Sequence, residues 1–118
     1  MHTASVEPQP DPILGSLVNE IIAINRAWKA SRELLGSSIS MTESFRHLKS
    51  RLQARLLREY APQQVYLELD HTADSEEPLY GLKLTKSVSN RTDAAHMPVR
   101  IANEIFTAEE LQSFIKES

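Results

Sequence analysis

The chain has 118 residues, a formal net charge of −3 and no cysteine, with 41% hydrophobic and 25% charged residues. That length suits a single core, and the composition is that of a globular protein rather than a disordered or collagenous one. Without cysteine there is no disulfide framework, no thiolate nucleophile and no thiolate zinc site.

Residues 1–11 show neither a basic start nor a signal-type apolar run, and the longest uninterrupted apolar stretch is Ile21-Ile22-Ala23-Ile24. A cytoplasmic protein with no membrane span is the expectation. Pro8, Pro10 and Pro12 alternate with Gln9 and Asp11, which favours an extended, mobile leader over residues 1–11, followed by one α+β domain over residues 12–118.

Asp11 and Pro12 read as the cap and first turn of a helix. From there Leu14, Leu17, Ile21, Ile24, Trp28 and Leu35 recur at steps of three and four, with Ser31 breaking the series. Gly36 is placed to end this helix in the left-handed conformation. After a short polar link, Ser40 and Glu43 have capping-box spacing and open a second helix, whose apolar face is read as Phe45, Leu48, Leu52, Leu56 and Tyr60, and which Pro62 stops. Two long amphipathic helices on so short a link imply an antiparallel hairpin.

Beyond Pro62 the period changes to two. Val65, Leu67 and Leu69, then Tyr80, Leu82 and Leu84, alternate with polar residues and predict two paired antiparallel strands around an exposed acidic loop. Residues 99–101, behind Pro98, admit a third strand. Thr107 with Glu110 forms a capping box, and Phe106 with Leu111 has staple spacing, so a short C-terminal helix is expected to dock through Leu111, Phe114 and Ile115. The fold expected is a helical hairpin packed on a small antiparallel sheet, closed by that last helix.

Charge is unevenly spread. Residues 41–60 carry five basic side chains against two acidic ones, whereas residues 61–118 carry five against ten. His47, Arg51, Arg55 and Arg58 form a stripe on the second helix. Such a stripe is most simply a solvated face, or one paired with the chain's own acidic loops; functionally it would suit an acidic protein partner or, ranked after it, nucleic-acid phosphates. Trp28, the only tryptophan, falls on the apolar stripe of the first helix and reads as a core anchor or an interaction hot spot. Asp70, His71, Asp74, Asp93 and His96 include the imidazoles and carboxylates of a metal or acid/base site, though not at the spacing of a helical metal motif. Gly15, Gly36 and Gly81 are the only glycines, so a phosphate-cradling glycine loop is absent, as is a Gly-x-Ser-x-Gly elbow.

A sheet this small leaves apolar surface over. The expectation is a non-catalytic interaction or regulatory module, without cofactor, working as a homodimer through the first helix or a free sheet edge. The alternatives are a nucleic-acid-associated regulator using the basic stripe and a small enzyme built on the loop histidines and carboxylates.

Overall fold

The computed structural model describes residues 12–37, 39–72 and 75–115; the leader, Asp11 and Asp74 lie outside them. In chain order the elements are α1 (Pro12–Leu35), α2 (Ser40–Tyr60), β1 (Val65–Leu69), β2 (Leu79–Val88), β3 (Arg91–Pro98), α3 (Val99–Ile105) and α4 (Ala108–Phe114). The architecture is α+β, with an α1–α2 hairpin, a three-stranded antiparallel sheet in the order β1-β2-β3, and a short C-terminal helix.

The 24 residues of α1 make a helix about 36 Å long, and its buried apolar residues all lie in the first half, Leu14 to Ile22. The sheet therefore backs only part of the hairpin. Leu14, Leu17, Val18, Ile21 and Ile22 are buried, but past Ile22 the only fully buried residue of α1 is Ser31. The expected apolar stripe thus loses its cover halfway along: Ile24 and Trp28 are half-buried and Leu35 is exposed. Gly36, at φ +96°, ends the helix as expected, its N–H donating to the Arg32 carbonyl at 3.0 Å.

Two readings of α2 are corrected. Ile39 is the N-cap, with extended backbone, and makes no side-chain cap. Ser40 is already the first helical residue, one position too late for its hydroxyl to close a box with Glu43. The buried face is also only partly the one expected, with Leu56 buried and Leu52 and Tyr60 packed against the core. Thr42, Lys49, Ser50, Gln53, Ala54, Leu56 and Leu57 are buried, whereas Leu48 is 39% exposed. Polar side chains occupy that face because most have partners across the hairpin or on the sheet. Gln53 Nε2 donates to the carbonyls of Ala94 and His96, both at 3.1 Å, capping the outer edge of β3.

The β1–β2 pairing follows the expected register, with Val65 opposite Leu84, Leu67 opposite Leu82 and Leu69 opposite Tyr80. Leu67 also bridges to Ile115, which covers part of the β1 edge. The third strand lies earlier than read: it is β3, and residues 99–101 open α3 instead. Strand β3 escaped the period-two reading because adjacent Ala94 and Ala95 are both buried and Ala95 sits at φ +67°, among register shifts along β2 and β3 that break the alternation. Ser89 and Asn90, both at positive φ, form the tight turn between these strands.

The start of α4 is as expected. Thr107 Oγ1 accepts from the Glu110 amide at 3.1 Å and Glu110 Oε1 accepts from the Thr107 amide at 3.0 Å. Phe106 and Phe114 are buried edge-to-face, 4.9 Å between centroids. No helix among the described residues is long and apolar enough to cross a membrane.

Candidate functional site

Where the hairpin extends past the sheet, two polar contacts lock its helices in register. The hydroxyls of Ser31 and Thr42 lie 2.6 Å apart, and Lys49 Nζ donates to Asn25 Oδ1 at 3.2 Å. Residues equidistant from the link are thereby level with one another, so Lys29 and Arg32 of α1 share a stretch of the hairpin with Arg46 and Lys49 of α2.

Lys49 is only 4% exposed. Burial, followed by repulsion from Lys29, Arg32 and Arg46, lowers its ammonium pKa from 10.5 to about 8. Its Nζ stands 4.2 Å from the centroid of the Trp28 ring, and the Arg32 guanidinium stands 4.4 Å from the same centroid. Trp28 is therefore neither a fully buried core residue nor a bare surface ring: it is half-buried beside two cations.

These residues form one wall of a groove of about 940 Å³. Glu76, Glu77, Leu79, His96, Pro98 and Arg100 line its other side, so the groove lies between the outer half of the hairpin and the β2–β3 end of the sheet. Arg100 pairs with Glu77 at 3.3 Å and reaches Glu104 at 3.9 Å. Lys29, Arg32, Arg46 and Lys49 make no ion pair among the described residues. Arg46 Nε is buried and has no hydrogen-bond acceptor among them either. A buried cation without an opposite charge is costly, and several in one concavity create a strong positive field. The chemistry open to such a groove is the capture of an anion.

The residues singled out from sequence are placed differently. Arg55 pairs with Glu59 at 2.7 Å. Arg58 reaches Glu110 at 2.9 and 3.3 Å and the Ile105 carbonyl at 3.2 Å, and its guanidinium lies 5.0 Å from the Phe106 centroid. Its bond is the foremost reason that the Glu110 carboxyl is held below its usual range. Two cations of the expected stripe are thus tied to the chain's own carboxylates, while Arg51 and His47 are exposed on α2.

Among the loop residues, His96 Nε2 meets Asp70 Oδ2 at 2.7 Å. The hydroxyl of Thr72, then His96, then the Thr72 amide hold the Asp70 carboxyl well below the usual carboxylate range. His71 is exposed, and Asp93 pairs with Arg91 at 3.2 Å and accepts from the Ala95 amide at 3.2 Å. Among the described residues no group of three or more His, Asp or Glu could hold a metal ion, and Asp74 lies outside them.

Lys29, Arg32, Arg46 and Lys49 went unnoticed as a set because each pair belongs to a different helix. The signal was available: a cation pair three residues apart on each helix, on a hairpin whose short link makes them level. Comparison of the chain with protein-family models, with curated proteins and with solved structures gave no match.

Proposed function

We propose that the protein is a non-catalytic recognition module that takes an anionic group of its partner into the groove beside Trp28. The observation that carries this reading is the set of four cations that share one stretch of the hairpin with no carboxylate paired to them among the described residues. The nucleic-acid reading through Arg51, Arg55 and Arg58 has less support, because Glu59 and Glu110 already occupy two of those guanidinium groups. The enzyme reading has the Asp70–His96 contact to build on and no metal cluster among the described residues.

Thermal unfolding in the presence of multivalent anions tests the proposal, since a ligand that binds only the folded state raises its melting temperature. Sulfate and phosphate also stabilise proteins non-specifically, so the comparison is with Lys49→Met under identical salt. At least one of sulfate, citrate and pyrophosphate should stabilise the wild type more than the variant. Equal shifts in both proteins for all three would contradict the proposal.

A second reading, self-association, is supported by the apolar tip of the hairpin. Leu34 is 82% exposed and Leu35, Ile39 and Met41 are exposed beside it. Ile115 and Gln53 already engage parts of the two outer sheet edges, so the tip is the better surface for a homodimer. Light scattering should find a dimer that Leu34→Lys disperses; a wild-type monomer at high concentration would remove this reading.

A further inference from the structure

Resting on the anion-binding reading, we infer that the group taken by this groove is a phosphoryl dianion carried on a small molecule, held from both helices of the hairpin at once. Among the described residues, five cationic side chains line the groove against two carboxylates, and one of those carboxylates, Glu77, is taken by Arg100. A single carboxylate would leave most of this charge unanswered.

Lys29 and Arg32 come from α1, and Arg46 and Lys49 from α2, so the cations are carried along one groove by two separate backbones. A planar carboxylate offers two coplanar oxygens, whereas a tetrahedral phosphoryl group offers three that diverge. Arg46 adds a guanidinium whose buried Nε–H lacks an acceptor among the described residues, the fork suited to bidentate recognition, and Lys49 adds a compact ammonium.

A groove of about 940 Å³ lies within the range that accepts a small molecule or cofactor. Lys49 is almost wholly buried yet lines the groove, so a terminal phosphoryl group on a compact body suits it better than the backbone of a polynucleotide.

Trp28 supplies the readout, because it is the only tryptophan and lies beside Lys49 and Arg32. Its emission is titrated at low salt with inorganic pyrophosphate and with citrate, two anions of similar charge at neutral pH. Pyrophosphate should give a saturable change and bind more tightly than citrate. Arg46→Ala and Lys49→Met should each weaken it about tenfold or more, the loss expected for one charge-assisted hydrogen bond. Arg55→Ala, outside the groove, should not. Circular dichroism confirms that each variant is folded, and if Arg46→Ala is not, Lys49→Met decides.

Citrate binding as tightly as pyrophosphate overturns the phosphoryl assignment and leaves the anion-binding reading standing. No response to either anion, together with no thermal stabilisation, overturns both. An oligonucleotide without a terminal phosphate that displaces pyrophosphate at equal phosphate concentration overturns the small-molecule assignment, and so does wild-type affinity in Lys49→Met.

Discussion

Replacing Lys49 by methionine should stabilise the protein while weakening its binding of anions. The folded state lowers the Lys49 pKa from 10.5 to about 8, which at neutral pH corresponds to about 3 kcal/mol of penalty for keeping the proton in the fold. Methionine has a similar reach and no charge, and fills irregular space readily. The substitution forfeits the bond to Asn25 and the contact with Trp28, together worth about 1–2 kcal/mol. A net gain of about 1–2 kcal/mol at neutral pH follows.

The sign with pH is fixed by the same shift. Between about 8 and 10.5 the unfolded chain keeps the Lys49 proton and the folded protein sheds it, so wild-type stability from this group rises through that window. The advantage of Lys49→Met should therefore shrink as the solution is made alkaline. Urea denaturation of both proteins at neutral and alkaline pH measures this, with the variant cancelling the titration of every other group. A variant less stable than wild type at neutral pH, or a gap that ignores pH, would refute the reasoning.

Three further outcomes are expected. Gln53→Leu leaves the Ala94 and His96 carbonyls without their side-chain donor, but also removes the unpaired Gln53 Oε1, for a net loss of about 2 kcal/mol by urea denaturation; unchanged stability would mean that β3 needs no edge cap. Thr107→Ala should cost about 1 kcal/mol and speed hydrogen exchange of the Glu110 amide; an equally protected amide would place the start of α4 elsewhere. Because its bonds to Thr72 and His96 lower the folded pKa of Asp70, its contribution is present above the unfolded value of 3.8 and is lost as pH falls toward the folded one. Asp70→Asn should accordingly flatten the acid limb of the stability curve, and an equally steep limb in the variant would contradict the assignment.

Elements whose local and tertiary preferences agree were legible from sequence. Leu14 to Ile22 repeat at helical spacing and are buried, Val65 and Leu67 alternate and face Leu84 and Leu82, and the Thr107–Glu110 box forms. Legibility failed where a tertiary partner overrode the pattern. Ser31 breaks an apolar stripe in the sequence but is buried on Thr42, and Lys49 and Gln53 take the inner face of α2 because Asn25 and the β3 carbonyls receive them. Strand β3 was hidden by the conformation of Ala95, which sequence alternation does not encode. The basic stripe was visible as far as Arg55 and Arg58, but their acidic partners, one of them distant in sequence, reduce its free charge. The groove needed both helices to be superposed before its cations could be counted together.

In the proposed binding mode Lys49 is a buried ammonium, crowded by other cations, whose charge a bound anion answers. Nuclear magnetic resonance of the lysine side chains, followed from neutral to alkaline pH, tests it directly. Lys49 should titrate near 8 in the free protein and move upward when pyrophosphate is added. A Lys49 that keeps the ordinary lysine value of 10.5, and ignores pyrophosphate, would contradict a buried ammonium that binds anions.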